Sequence, residues 1–112
     1  MMTGAELIAA ERLRQLDVEG YTVITDSLYS NNELVRAAIC YAAPAGMRKD
    51  KPYSDPETVF IPMMWPWAFK HWKPTADDRV RELVKAGALI AAEIDRLQIE
   101  DRIASAERGA VQ

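Results

Sequence analysis

The distribution of proline divides this chain into three parts. All six proline residues lie between residues 44 and 74, and neither flanking segment contains one. Proline removes a backbone donor and clashes with the preceding helical turn, so a continuous helix cannot run through residues 44–74. Both flanks have apolar residues at helical spacing. The sequence therefore predicts a mainly α fold: about three helices around one core, with a long connection rich in proline and aromatic residues between helices 2 and 3.

Local sequence signals divide the predicted single domain, residues 1–112, into helices and connecting segments. Thr3 and Glu6 have the spacing of a capping box at the start of the first helix. Asn31 or Asn32 is the expected N-cap of the second helix, and Thr75 that of the third. We expect helices at about residues 4–18, 32–43 and 76–98, an irregular aromatic and basic segment at 44–74, and a frayed tail at 99–112.

For three shorter parts of the sequence we have more specific structural expectations. Residues 20–30 are rich in β-branched and aromatic side chains, and we expect a packed loop there in preference to a strand. Residues 58–61 are compatible with one short strand, so the connection can contain one or two. Gly87 lies in the middle of the third predicted helix, where it costs about 1 kcal/mol relative to alanine. We expect it to allow another helix to approach closely.

The overall composition narrows the class of protein. Hydrophobic residues make up 49% of the chain and charged residues 28%, as in a globular domain, and the net charge of −3 argues against a protein that coats nucleic acid polymers. The single Cys40 excludes an internal disulfide and a multi-cysteine zinc site, and we expect a buried structural thiol. The chain begins without a signal-peptide pattern and contains no membrane-spanning apolar run. We expect a soluble cytoplasmic protein.

An aromatic segment, defined here as residues 64–74, contains all three tryptophans and the only histidine. Indole rings on a proline-restricted backbone can stack on a planar base, which contributes about 1–3 kcal/mol per base. They can equally fill a small satellite core, and the sequence does not decide between these interpretations. The ligand-binding interpretation predicts stacking by Trp65, Trp67 and Trp72.

Basic and polar residues near this segment complete the predicted binding set. Arginine and lysine neutralise phosphate, and glutamine can bind a base edge or a ribose. Arg12 and Arg14 diverge on a helix, so we expect at most one of them to face a given site. The residues expected to join the tryptophans are Lys70, His71, Lys73, Arg48, Lys49, Arg12 and Gln15. We predict no catalytic residue, no metal ligand and no cofactor.

The acidic residues allow a competing hypothesis. All-α nucleotide pyrophosphohydrolases bind Mg²⁺ through carboxylates on facing helices, and the candidate ligands here are Glu6, Glu11, Glu33, Glu93 and Asp95. Their local spacing does not place pairs on one helix face. Surface ion pairs, Asp77 with Arg81 and Glu93 with Arg96, are the simpler expectation. The sequence also contains no phosphate-binding glycine loop, dinucleotide-binding fingerprint, zinc-protease motif or nucleophile elbow.

Four segments together resemble a family of small phage and prophage accessory proteins. They are residues 11–15 followed by 19–22, residues 33–38, the Trp65-Pro66-Trp67…Trp72-Lys73-Pro74 pattern, and residues 81–97. The resemblance implies viral origin, expression inside a bacterium and an accessory role. Small phage proteins of this kind include oligomeric sponges, which bind cyclic or ADP-ribose-derived immune signals without cleaving them.

Three functions remain as hypotheses. The leading one is a homo-oligomeric anti-defence protein in the host bacterial cytoplasm that sequesters a nucleotide-type ligand, with pockets between subunits. The second is a metal-dependent nucleotide pyrophosphohydrolase, and the third is a protein-interaction module without a small ligand. The first and third predict no enzyme activity, and none of them involves a membrane or a nucleic acid polymer.

Overall fold

A computed structural model describes residues 1–17, 31–49 and 58–111. Within these ranges the chain is mainly helical, which confirms the predicted class. Its helices are α1 (Gly4–Asp17), α2 (Glu33–Ala42), the single turn α3 (Ile61–Met64) and α4 (Arg79–Val111), with 3-10 turns at Ala45–Met47 and Phe69–His71 and strands β1 (Arg48–Lys49) and β2 (Val59–Phe60). The expected loop at residues 20–30 lies outside the described residues.

The first helix begins as its local sequence predicts. The backbone N–H of Thr3 donates to Oε1 of Glu6 at 2.9 Å, and the backbone N–H of Glu6 donates to Oγ1 of Thr3 at 3.2 Å. These reciprocal bonds form a capping box and satisfy two donors at the helix start. They also hold the pKa of Glu6 below its ordinary value, because the Thr3 donors favour the carboxylate.

The second helix is the centre of the core, but its start differs from the prediction. Leu34, Ala37, Cys40 and Tyr41 are buried on this helix. Asn32 stands at the N-cap in a left-handed conformation (φ 63°), and its side chain makes no capping hydrogen bond. An asparagine tolerates this conformation, so the residue supplies a turn here rather than a cap.

The described part of the connection between α2 and α4 packs against α2. Strands β1 and β2 pair in parallel, with Arg48 opposite Val59 and Lys49 opposite Phe60. On α2, Arg36 donates to the carbonyl oxygens of Met63 and Met64 at 2.7 and 3.1 Å, which fixes the C-terminal end of α3. The aromatic segment follows directly and is therefore positioned by α2.

The last helix starts later and ends later than predicted. Asp78, not Thr75, is its N-cap, because Oδ1 of Asp78 accepts from the backbone N–H of Arg81 at 3.1 Å. Thr75 instead opens the preceding turn, where its carbonyl accepts from the N–H of Asp78 at 2.8 Å. The helix continues to Val111, well past the predicted end near residue 98, so the expected frayed tail is helical.

Gly87 of α4 lies directly against Ile8 of α1. A Cβ atom built on Gly87 would lie 2.5 Å from Cδ1 and 2.7 Å from Cγ1 of Ile8. A real side chain cannot be accommodated at these distances without movement of Ile8. The expected role of this glycine, to allow a close helix approach, is confirmed.

Two other features follow the sequence predictions. Cys40 is fully buried, and burial raises the pKa of its thiol to about 11. Among the described residues, no helix combines the length and the apolar character that crossing a bilayer requires.

Candidate ligand cavity

A cavity of about 710 Å³ lies between α1, the aromatic segment and α4. This volume falls within the range of about 300–1,000 Å³ that is typical of small-molecule pockets. Its lining combines aromatic rings with charged side chains: Glu11, Arg12, Arg14, Gln15, Leu34, Tyr41, Trp65, Trp67, Ala68, His71, Lys73, Arg81, Lys85, Leu89 and Ala92.

The aromatic wall of the cavity is a set of rings in mutual contact. Trp65 is buried, and its ring centroid lies 5.7 Å from that of Tyr41 and 5.4 Å from that of Trp67, both in edge-to-face geometry. Nε1 of Trp65 donates to the carbonyl oxygen of Ala68 at 3.1 Å. Since Trp65 is fixed from both sides, the half-buried Trp67 is carried on a rigid support.

Tyr41 connects this wall to α4. Its hydroxyl oxygen accepts from the backbone N–H of Lys73 at 3.3 Å, and Nζ of Lys85 lies 5.2 Å above its ring. Nζ of Lys85 also donates to the carbonyl oxygen of Lys73 at 3.1 Å. Burial raises the pKa of Tyr41, so the phenol stays protonated at neutral pH.

The cavity also has a cationic side, part of which adjoins Tyr41 of the aromatic wall. Arg12, Arg14, Arg81, Lys73 and Lys85 line it, and among the described lining residues Glu11 is the one carboxylate. The protein as a whole is acidic, so this concentration of positive charge is local. A low-dielectric wall beside clustered cations strengthens the attraction for an anion.

Glu11 organises part of this cationic side. Its carboxylate accepts from Arg14 at 2.6 and 2.9 Å and from Arg81 at 3.0 Å, which joins α1 to α4. Burial opposes ionisation of Glu11, but the hydrogen bonds and charges of Arg14 and Arg81 outweigh it and hold its pKa below the ordinary value. A guanidinium has five N–H donors, so one that binds a carboxylate can also bind a second anion.

Six of the ten predicted binding residues line this one cavity. They come from two places in the sequence, α1 and the aromatic segment: Arg12, Gln15, Trp65, Trp67, His71 and Lys73. The expectation that only one of Arg12 and Arg14 faces a site is wrong, because both line the cavity. Arg12 reaches back to Asp95 on α4 at 3.2 Å, and Arg14 bonds within α1.

The other four predicted residues lie elsewhere. Lys49 and Lys70 are exposed on β1 and on the second 3-10 turn, outside the cavity lining. Trp72 packs behind the wall, with its centroid 4.8 Å from that of Tyr41 and 5.1 Å from that of Trp65. For Trp72, therefore, the satellite-core interpretation describes the geometry.

Arg48 does not line the cavity. It belongs to a group of ion pairs, called the framework below, that Arg48 and Arg79 form with Glu82. It donates to the carbonyl oxygens of Cys40 and Tyr41 at 3.0 and 3.2 Å, and to Glu82 at 2.8 Å. Its guanidinium also lies 5.3 Å from the centroid of Trp72. These contacts cap the C-terminal end of α2, where a helix dipole favours a cation.

Glu82 is the buried centre of that framework, with 1% of its residue surface exposed. It pairs with Arg48 and with Arg79, and it accepts from the backbone N–H of Thr75 at 3.1 Å. Burial opposes its ionisation, but the hydrogen bonds from Arg48 and Arg79 prevail and lower its pKa. Arg79 also donates to the carbonyl oxygens of Tyr41, Ala42 and Ala43.

Sequence reasoning missed four prominent residues of the cavity: Tyr41, Arg14, Arg81 and Lys85. One signal was available for two of them. Arg81 and Lys85 are four residues apart and lie on one helix face, which is a spacing that a search for paired cations could have used. The Asp77 partner expected for Arg81 is replaced by Glu11. The expected ion pair of Glu93 with Arg96 is present, but it is buried rather than on the surface.

The carboxylates considered for Mg²⁺ do not converge. Glu6 bonds Thr3, Glu11 bonds Arg14 and Arg81, and Glu33 accepts from the backbone N–H of Asn31. Glu93 and Asp95 pair with Arg96 and Arg12. In the described part of the chain, no group of three or more histidine, cysteine or acidic residues is arranged to hold a metal ion. The described residues thus offer the pyrophosphohydrolase hypothesis no ligand set.

Comparison with known proteins identifies no relative of this chain. No protein-family model matches the chain, and neither a curated protein nor a solved structure matches it.

Proposed function

We propose that this protein binds a nucleotide-type ligand in the cavity and sequesters it without cleaving it. One observation carries the proposal: the aromatic rings of Trp65 and Trp67 and the cations Arg12, Arg81 and Lys73 line one cavity of about 710 Å³. A nucleotide needs both surfaces, a π face for its base and cations for its phosphate. The rigid support of Trp67 favours binding, because little ordering is needed when the ligand arrives.

The residues that line the cavity support binding of a ligand better than they support its hydrolysis. Among the described lining residues the one carboxylate, that of Glu11, is held ionised between two arginines, so its proton affinity is low and it is a weak general base. His71 also lines the cavity, but in the described part of the chain no hydrogen bond orients its ring and no cluster holds a metal. Binding without an oriented base or a metal leaves a phosphate ester intact. A cyclic or ADP-ribose-derived signalling nucleotide is the ligand class that we propose.

The biological setting belongs to the same proposal. The resemblance of four sequence segments to phage and prophage accessory proteins supports an anti-defence role in the cytoplasm of a bacterial host. A sponge lowers the free concentration of an immune signal by binding it, so its effect depends on affinity and copy number rather than on catalysis. We propose that the protein acts as a homo-oligomer.

A retention experiment tests this function. The full chain is incubated with cyclic dinucleotides, cyclic ADP-ribose isomers and nucleoside triphosphates with Mg²⁺, separated from unbound ligand and denatured. Chromatography of the released material should show at least one of these compounds, chemically unchanged. Recovery of a hydrolysed product would support the pyrophosphohydrolase instead, and a panel with neither retention nor turnover would overturn the proposal.

A further inference from the structure

The buried residues of α1 are all polar or charged. They are Glu11, Arg12 and Gln15, whereas Leu13 of the same helix is 59% exposed. An amphipathic helix normally turns its apolar residues towards the core and its polar residues towards solvent. All three buried side chains of α1 line the cavity. This face of the helix is therefore part of the cavity lining rather than of the hydrophobic core.

Two of these three side chains have ionic partners, and the third does not. Glu11 binds Arg14 and Arg81, and Arg12 binds Asp95. Gln15 is only 8% exposed, and in the described part of the chain its side-chain amide makes no hydrogen bond.

Buried amides in folded proteins are nearly always hydrogen-bonded, because an unsatisfied donor or acceptor loses its bonds to water without replacement. The amide of Gln15 lines a cavity, so a molecule that enters the cavity can supply the partner. A ligand group that does not replace the hydrogen bonds of the water it displaces loses affinity. The amide of Gln15 therefore selects among ligands.

The chemistry of the amide specifies what it can bind. Its carbonyl oxygen accepts and its amine donates, and the two groups lie side by side. Gln15 is the one amide side chain among the described lining residues. The lysine and arginine side chains of the lining only donate, and the ionised carboxylate of Glu11 only accepts. Gln15 thus matches a molecular edge on which one donor lies beside one acceptor.

We infer that Gln15 binds the edge of the nucleotide base and that this base is adenine. The inference rests on the proposed function. A base stacked on an aromatic ring leaves its edges available for hydrogen bonds. The N7 edge of adenine has an acceptor, N7, beside a donor, the 6-amine, whereas the same edge of guanine has two acceptors. The amide of Gln15 can form two hydrogen bonds with the adenine edge, as glutamine does when proteins bind adenine in DNA.

The position of Gln15 on α1 suits a single ligand that also binds the cations. Gln15 is three residues from Arg12 and four from Glu11, so the three side chains share one face of the helix. Neighbours on such a face have Cβ atoms about 5–6 Å apart. Glu11 in turn holds Arg14 and Arg81. The amide and the cations are therefore near enough for one nucleotide to bring its base to Gln15 and its phosphate to the arginines.

A comparison of two nucleoside diphosphates tests the inference. Inosine diphosphate differs from ADP at the base, where a carbonyl oxygen replaces the 6-amine. Calorimetric titration of the full chain should give an affinity about tenfold higher for ADP than for inosine diphosphate. Gln15→Met keeps the length of the side chain but removes both hydrogen-bonding groups, so it should bind the two compounds with equal affinity. Gln98→Met, at an exposed glutamine of α4, is the matched control and should keep the preference for ADP.

The ratio of the two affinities separates recognition of the base from a structural role. If Gln15 only supported the cavity, Gln15→Met would weaken binding of both compounds equally and leave the ratio unchanged, which would overturn the inference. A wild type that binds inosine diphosphate as tightly as ADP, or that binds neither, would also overturn it. Retention of a guanine compound by the same protein would then show that the proposed function holds without adenine recognition, whereas retention of no compound would show that both fail.

Discussion

At the scale of single residues, lysines only three positions apart have different roles in this account. Lys73 lines the cavity, whereas Lys70 is exposed on the neighbouring 3-10 turn and does not. Both are exposed lysines on the same short segment, so they form a matched pair for mutation. The proposed function requires that the charge of Lys73 contributes to affinity and that the charge of Lys70 does not.

We predict that Lys73→Met weakens nucleotide binding about tenfold. A hydrogen bond to a charged group contributes about 1.5–3 kcal/mol, and about 1.4 kcal/mol corresponds to one factor of ten in affinity. Calorimetric titration with whichever compound of the panel is retained measures the effect. Lys70→Met should bind like the wild type. Equal losses in the two variants would show that only general positive charge matters.

Glu82, unlike Lys73, contributes to the stability of the fold rather than to ligand binding. We predict that Glu82→Gln lowers the free energy of unfolding by about 3–5 kcal/mol, because it leaves the nearly buried Arg48 without its ionic partner. Urea denaturation followed by circular dichroism measures this change. Glu107→Gln, the same change at an exposed glutamate, is the control and should change stability by less than about 0.5 kcal/mol.

The pH dependence of stability follows from the lowered pKa of Glu82 and Glu11. A carboxylate whose folded pKa is below its unfolded value stabilises the fold above about 4.5, the ordinary glutamate value. This stabilisation is lost as pH falls through the lowered folded pKa. The wild type should therefore lose stability on acidification below about pH 4.5, and Glu82→Gln should show a flatter profile over the same range. Equal slopes would contradict the assignment.

At the scale of elements, the sequence predicted features that depend on neighbours along the chain. The Thr3–Glu6 capping box and the close approach at Gly87 could be identified because spacing alone specifies them. The role of Arg48 could not, because its partners are the carbonyl groups at the end of α2 and Glu82 on α4, which are distant in sequence. The aromatic segment was identified as a unit, but only packing separates Trp67 from Trp72.

The last helix shows the limit of periodicity as a guide. Its apolar residues recur at helical spacing, which correctly predicts a helix. The same spacing does not say which face is buried, and most of the long aliphatic side chains, Leu89 excepted, are on the outer one. Small and charged residues form the inner face because α1 and α2 approach closely there. The continuation beyond residue 98 was missed because that part has few apolar residues.

The contact of α1 with α4 gives a prediction at this scale. Gly87→Ala should destabilise the protein by up to about 2 kcal/mol, because the collision of its Cβ with Ile8 costs about 1–3 kcal/mol and the better helix propensity of alanine offsets about 1 kcal/mol of this. Ile8→Ala should relieve the collision, so the double variant should lose less than the sum of the two single changes. Thermal or urea unfolding of the four proteins gives the coupling energy. Additive losses would mean that Ile8 and Gly87 do not determine the helix separation.

At the scale of the whole molecule, the chain separates two surfaces on opposite sides of α4. One side contributes cations to the cavity, together with α1 and the aromatic segment, and the other exposes Leu83, Ile90, Ile94 and Leu97. The framework of Arg48, Arg79 and Glu82 joins α2 to α4, so the aromatic wall is fixed before a ligand binds. We predict one ligand per chain, and Leu97→Glu, on the exposed side of α4, should retain the wild-type stoichiometry.

Intrinsic tryptophan fluorescence tests the central claim most directly. The full chain is titrated with cyclic dinucleotides, cyclic ADP-ribose isomers and nucleoside triphosphates, with Trp67→Ala and Phe69→Ala titrated in parallel. Phe69 is an exposed aromatic residue on the same segment, outside the cavity lining. We predict that at least one compound quenches the wild type and Phe69→Ala to saturation at one equivalent per chain, and that Trp67→Ala loses most of this change. No quenching by any compound, or equal quenching in all three proteins, would contradict a nucleotide bound against the aromatic wall.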